Sequence, residues 1–152
     1  MKKLLLIIAL FAFTGSFVCS AQNQDEEAIR QVVQKYIRSI DNCDTTLVNQ
    51  IWSHDDNVSF IAPSGYYKTY NEIRDRFVIG IFGTVFKERH LISRDLKINV
   101  NGNLAWIEFS WDFNAIRVDN GQIHSTKGLE TQIMQKDAAG EWKLMHVHYS
   151  AQ

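Results

Sequence analysis

Apolar residues at Ile29, Val32, Val33, Tyr36, Ile37 and Ile40 recur every three or four positions and draw one stripe along a single helix. Asp25, Glu26 and Glu27 fall in its first turn, where the positive end of the helix dipole favours acids. Asp44 is placed to cap a second, short helix carrying Leu47, Val48, Ile51 and Trp52. Val58 to Ile61 reads as a short apolar strand, ended by Pro63-Ser64-Gly65. Thr69, followed three positions later by Glu72, is a capping box opening a third helix with Ile73, Phe77 and Ile81 turned inward.

From Phe86 onward the period changes to two. Four long strands are predicted, over 86–100, 103–118, 122–136 and 141–150. Asn101-Gly102 and Asn120-Gly121 mark hairpin turns, since both residue types tolerate positive φ, and Asp137 to Gly140 makes the last turn. Strands this long exceed the usual five or six residues. They must twist and bend, with the helices on the hollow side. Helices first and an antiparallel meander after them make an α+β fold: a strongly bent antiparallel sheet packed on three N-terminal helices.

The N-terminus follows a different logic. Lys2 and Lys3 precede an uncharged apolar run from Leu4 to Phe13, and small and polar residues continue to Ala21-Gln22. This is the layout of a secretory signal. The run falls short of the roughly 20 apolar residues that a membrane span needs. Residues 1–21 therefore read as a signal peptide and 22–152 as one domain, exported to the periplasm or secreted. Cys19 offers a lipoprotein alternative, but Ser16-Phe17-Val18 lacks the small residue that usually stands directly before a lipidated cysteine. Cleavage after Ala21 leaves 14 basic against 17 acidic side chains, a net charge of −3. A mildly acidic chain with no basic block does not suit nucleic acid. Cys43 alone would remain, so no internal disulfide is expected and packing must hold the fold.

The order of elements resembles the cone-shaped nuclear transport factor 2-like fold. That superfamily includes the SnoaL-like proteins, the steroid Δ-isomerases and the association domain of calcium/calmodulin-dependent kinase II. Val32-Val33-Gln34-Lys35-Tyr36 is similar to the first helix of the isomerases. The segment from Gly140 to Ser150, Gly-Glu-Trp-Lys-Leu-Met-His-Val-His-Tyr-Ser, is similar to the last strand of the kinase domain and of many SnoaL-like proteins. The resemblance implies a pocket inside the cone and association of two chains. It places Tyr36 where the isomerases keep a hydrogen-bond-donating tyrosine. Their aspartate base falls on Phe60, which cannot abstract a proton, so steroid isomerisation by that route is not expected. The arginines lining the kinase-domain pocket are replaced by Glu108, Gln132 and Tyr149.

His146 and His148, two apart on a strand, point the same way and could share a zinc ion with Glu130 on the neighbouring strand. The resembling families carry this His-x-His without a metal, which favours pocket-lining roles; no metal or other cofactor is expected. Glu130 and Gln132 alternate with Leu129, Thr131 and Ile133, and a buried carboxylate there could work as acid or base. On the strand 103–117, Ala105, Ile107, Phe109, Trp111 and Phe113 share one face, and Trp106, Glu108, Ser110, Asp112 and Asn114 the other. The apolar row could pack on the helices and leave the polar face to solvent, or lie against a partner subunit's sheet with Glu108 facing the hollow; the kinase-domain comparison favours the second. Arg89 and His90 read as exposed strand residues. Phe60, Tyr66, Tyr67, Phe77, Phe82 and Phe86 read as core and pocket wall. The chain has no glycine-rich phosphate loop and no nucleophile elbow.

The leading expectation is an exported small-molecule-binding domain. Its largely apolar pocket is contacted by Tyr36, Trp52, Glu108, Glu130, Gln132, His146, His148 and Tyr149, and its ligand is small and hydrophobic or of mixed polarity. An isomerase, dehydratase or cyclase is the alternative, with Glu130 or His148 as base and Tyr36 as donor. A third class is an assembly module whose pocket is vestigial and filled by side chains. A homodimer built through the outer face of the sheet is expected in any case. The mature chain should begin at Gln22. Intact-mass measurement on protein from its native host checks this, and a species starting at a diacylglyceryl-modified Cys19 would establish the lipoprotein form instead.

Overall fold

The computed structural model describes the backbone of residues 2–152 and the side chains of residues 22–152. The signal-peptide and Cys19 readings concern residues 1–21, outside the described side chains. Helix α1 (Lys2–Asn42) leads to α2 (Thr45–Ile51), then to strands β1 (Ser59–Ala62) and β2 (Gly65–Tyr67). A short α3 (Tyr70–Glu72) widens directly into a π-helix (Ile73–Gly83). Strands β3 (Phe86–Asn101), β4 (Leu104–Arg117), β5 (Ile123–Lys136) and β6 (Trp142–Ala151) complete the chain. Among the described residues no helix is long and apolar enough to cross a membrane.

The helices follow the sequence signals. Ile29, Val33, Tyr36, Ile37 and Ile40 are buried, as the α1 stripe requires. Cys43 ends α1 in the left-handed region, φ 51°, and Asp44 N–H reaches back to the Ser39 carbonyl at 3.0 Å. Such a bond back across the turn satisfies a carbonyl that the helix end would leave orphaned. Asp44 then caps α2, accepting from the amides of Thr46 and Leu47. Thr69 accepts from Glu72 N–H, and the Glu72 carboxylate reaches one residue past the cap to accept from Lys68 N–H, so a variant of the capping box opens α3.

The six strands form one sheet in the order β2-β1-β6-β5-β4-β3. The four long strands are antiparallel neighbours, as predicted. The sheet as a whole is mixed, because β1 lies parallel to β6, with Phe60 opposite Val147. Strand β2 was not anticipated: Gly65, Tyr66 and Tyr67 pair back onto β1 instead of ending it in a loop. Gly102 (φ 63°) and Gly121 (φ 71°) take the positive φ at the two hairpin turns. The result is an α+β cone with α1 and the π-helix against its hollow side.

β3 supplies the bend. Its register against β4 slips between Lys87 and His90 and again between Arg94 and Lys97. At each slip two β3 residues face one on β4, and the first of the two, Glu88 or Asp95, has φ 54°. These are β-bulges, which turn the strand and sharpen its twist. The first turns Arg89 inward rather than leaving it exposed. Arg89 Nε donates to the carbonyls of Ile40 and Asp41, at 3.0 and 3.1 Å. Its Nη1 donates to those of Phe82 and Phe86, at 2.9 and 2.6 Å. Asp41 completes the clamp by accepting from Leu91 N–H at 2.8 Å. His90 stays at the surface, with Nδ1 3.9 Å from Asp41.

β4 has no bulge, so its alternation never changes phase. Ala105, Ile107, Phe109, Trp111, Phe113 and Ala115 are all buried, and they face the helices. This corrects the sequence-based assignment of the apolar row to an outer dimer face. The helix stripe needs a dry partner inside the same chain, and this row is the longest apolar face available. Glu108 consequently points outward with Trp106, which is 43% exposed.

Candidate functional site

A cavity of about 290 Å³ remains between α1, the π-helix and the inner face of the sheet. Its walls are mostly rings. Tyr36 and Ile40 come from α1, Phe77, Ile81 and Phe82 from the π-helix, and Leu91, Trp111, Phe113 and Tyr149 from the sheet. Phe77 meets Phe82 edge to face at 5.1 Å, and Trp111 meets Tyr149 at 5.4 Å with their planes 89° apart. Edge-to-face contacts of this kind add stability beyond area burial.

One carboxyl enters this apolar space. Glu130 stands opposite Phe109 on the inner face of β5 and is 4% exposed. Tyr36 donates its hydroxyl to Glu130 Oε2 at 3.3 Å, and Gln132 donates Nε2–H to Oε1 at 2.7 Å. Burial dominates and pushes the Glu130 pKa up to about 8, although both hydrogen bonds pull the other way. Burial, followed by the nearby Glu130 charge, holds the Tyr36 hydroxyl well above its usual range. Tyr149 is pushed up to about 12 by the same two causes in the same order. Both phenols stay protonated where Glu130 titrates, so among these three neighbouring groups the carboxyl is the one that changes charge near neutrality. It can take a proton from, or give one to, a molecule in the cavity.

The predicted contacts divide. Tyr36, Glu130 and Tyr149 meet at the cavity. Gln132 is fully buried behind Glu130 and orients it without reaching the wall. Trp52 is buried in the core beside Phe60, ring centroids 6.0 Å apart, away from the cavity. Glu108 lies on the outer face for the reason given above. His146 and His148 lie there too: they pair with Ile133 and Thr131, outward positions on β5, while the intervening Val147 is buried. His146 Nδ1 sits 2.7 Å from Ser59 Oγ, and burial first, then His148, lowers its pKa. Glu130 is on the opposite side of the sheet from both histidines, so the three cannot converge on one metal ion. Phe60, at the isomerase-base position, is 1% exposed and lies in the core. Tyr66, expected in core or wall, is 55% exposed at the edge of the sheet.

Trp111, Phe113 and Leu91 were missed as wall residues. A signal for Trp111 existed in Gly128, a glycine inside a strand, which often marks a close approach. Gly128 stands directly across from Trp111. A Cβ there would overlap the Ser150 carbonyl oxygen and come 2.6 Å from Cζ2 of the indole.

Residues 29–152 match the family model for the SnoaL-like domain. This chain belongs to the SnoaL-like family. Among proteins with curated descriptions, none matches the sequence. The SnoaL-like chain is 35% identical to a nuclear transport factor 2-like superfamily protein from Salmonella enterica serovar Typhimurium, with TM-score 0.82, covering 85% of this chain and 92% of that one. A hexachlorocyclohexane dehydrochlorinase, LinA type 3 from Novosphingobium barchaimii, is 14% identical with TM-score 0.76, covering 86% and 88%. The association domain of the Caenorhabditis elegans calcium/calmodulin-dependent kinase II is 21% identical with TM-score 0.65, covering 86% and 96%. The last two likenesses are of fold alone.

The raised Glu130 pKa fixes a pH dependence of stability. Between its ordinary 4.5 and about 8 the folded chain keeps a proton that the unfolded chain has released. Stability therefore falls as pH rises through that window, by about 1.4 kcal/mol per pH unit. Glu130→Gln removes this slope, so the variant gains on the native protein as pH rises from 5 to 8.5. Denaturant unfolding at pH 5, 7 and 8.5 checks it, and parallel curves for the two proteins would show that Glu130 is not held protonated.

Proposed function

We propose that this protein is an exported domain that binds a small, largely apolar molecule in the cavity, with Glu130 as its polar contact. The observation that carries this reading is a buried, titratable carboxyl facing a largely apolar cavity of about 290 Å³. Burying an acid opposes folding, and a cavity wall of rings has no packing need for one. A charge-changing group with a strongly perturbed pKa, set in a concave apolar site, is the physical mark of a ligand or reaction site. An open cavity also argues against the vestigial, filled pocket of a pure assembly module.

Acid–base catalysis is the second reading, and the proximity of the Glu130 pKa to neutrality favours it. Glu130 would take a proton from the bound molecule and Tyr36 would steady the charge that develops, an isomerase- or dehydratase-type step. His148, on the outer face, drops out as the base. A dehydrochlorinase among the proteins of similar fold makes base-initiated elimination a relevant comparison, though at 14% identity it assigns no chemistry to this chain. Steroid isomerisation through the Phe60 position is excluded by the chemistry of that side chain.

We also propose that two chains pair through the outer face of the sheet. The apolar row of β4 is used up inside. The outer face still presents Leu104 (43% exposed), Trp106 (43%) and Leu129 (54%), interleaved with Thr131 and the two histidines. Twofold pairing would cover them, as in the commonest soluble assemblies.

Two measurements test these readings. A naphthalene-sized apolar probe should bind with one equivalent per chain, and Phe77→Arg, which fills the cavity with charge, should abolish binding; undiminished binding to Phe77→Arg would place the probe elsewhere. Light scattering at micromolar concentration should give the dimer mass for the native protein and the monomer mass for Trp106→Glu. A native monomer would end the pairing proposal.

A further inference from the structure

The carboxyl in the cavity wall has no cation to answer it. Tyr36 and Gln132 donate to its two oxygens, and both donors are neutral. A carboxylate offers roughly four acceptor sites, so two donors do not exhaust it. The wall holds no lysine or arginine, and Arg89 at its edge is spent on backbone carbonyls. Tyr36 on α1, Tyr149 on β6 and His124 on β5 are the other titratable side chains of the wall; the π-helix, β3 and β4 contribute none. His124 shares the inner face of β5 with Glu130, opposite Ala115. It stands six positions away along the strand, a rise of roughly 20 Å, too far to neutralise the carboxyl.

The surroundings of that acid narrow what can answer it. Seven of the lining residues carry a phenyl, phenol or indole ring, from α1, the π-helix, β3, β4 and β6. The faces of such rings carry negative potential and attract cations, most strongly where water is excluded. An anion entering would find no fixed cation and would face Glu130. A neutral molecule would need no carboxyl, since a hydroxyl or an amide in its place would hold it with less cost of burial. A cation uses both features of the wall: the acid is its counter-charge, and the rings are a second attraction.

We propose that the cavity takes an organic amine of one or two rings, its ammonium group paired with ionised Glu130 and its hydrocarbon part lying among the aromatic side chains. This rests on the reading of the cavity as a small-molecule site and adds the class of molecule. A volume of about 290 Å³ lies at the low end of ligand pockets and sets the size. Below about pH 8 the free protein keeps a proton on Glu130. Binding of R–NH3+ then breaks the carboxyl O–H bond, leaves the three ammonium N–H bonds intact, and releases one proton to the buffer.

Four probes of nearly one shape separate the outcomes: 1-(2-naphthyl)ethylamine, the hydrocarbon 2-isopropylnaphthalene, 2-acetylnaphthalene and 2-naphthoate. Titration calorimetry on the intact protein at about pH 8, where Glu130 is half ionised, should find the amine about tenfold tighter than the hydrocarbon, the ratio expected from one hydrogen bond to a charged partner. The ketone should match the hydrocarbon, and the naphthoate should bind most weakly. From about pH 6 to 7.5 the amine affinity should rise about tenfold per pH unit, because Glu130 must ionise first, while the hydrocarbon affinity stays level. Repeating the amine titration in buffers of different ionisation enthalpy should show about one proton released per molecule bound, a readout that needs no variant. In Glu130→Gln the amine should lose its advantage, its pH slope and its proton release, and the hydrocarbon should still bind. A slope that survives in Glu130→Gln would trace to His124 and overturn the pairing. Preference for the ketone or the naphthoate, or equal amine and hydrocarbon affinities without proton release, would overturn the amine class while leaving the cavity reading intact. Failure of all four to bind would overturn both this proposal and the cavity reading.

Discussion

The bend of β3 is the constraint on which the cavity depends. A flat 16-residue strand could not follow the sheet around α1, and two bulges break it at Glu88 and Asp95. The first bulge delivers Arg89 to four backbone carbonyls from three elements: the end of α1, the end of the π-helix and the start of β3. A half-buried guanidinium needs acceptors, and helix-end carbonyls need donors. Each deficit satisfies the other. Ile40, Phe82 and Phe86 line the cavity, and three of the four carbonyls held are theirs. Arg89 therefore sets the edge of the cavity without entering it.

The two faces of the sheet follow from this geometry. With β3 wrapped and β4 in unbroken phase, one row of apolar residues meets the helices and the other row is left to mixed composition. Glu130 is the exception on the inner face. It is tolerated because Tyr36 and Gln132 hydrogen-bond it and because it can keep its proton near neutral pH. A lysine in the same place would face the same desolvation and, having only donors, could not accept from Tyr36 and Gln132.

Much of the fold was legible in the sequence because its signals are local. The α1 stripe, the Asp44 cap, the Thr69–Glu72 box and the two Asn-Gly turns each depend on residues within a few positions of one another, and all appear in the structure. What depends on long-range placement was not legible. The parity of β4 hinges on which strand carries the bulges, and nothing around Glu88 or Asp95 announces a left-handed residue. The kinase-domain comparison turns Glu108 inward and the family resemblance gives the histidine pair a pocket-lining place, yet all three lie outside. Glu130, Tyr36 and Tyr149 were found because chemistry singled them out. Trp111 belongs to the apolar row that the sequence comparison turns toward a partner subunit, and its place in the cavity wall depends on a glycine on the next strand.

That glycine and its tryptophan do not constrain each other equally. The indole could be exchanged for a smaller ring with only a gap left behind. Position 128 has no such freedom, because a side chain there would strike the backbone of β6 whatever stands at 111. In a diverging lineage the tryptophan can drift while the glycine stays. Relatives that keep the glycine but not the indole would then hold the surrounding backbone in place while the recess itself grew larger.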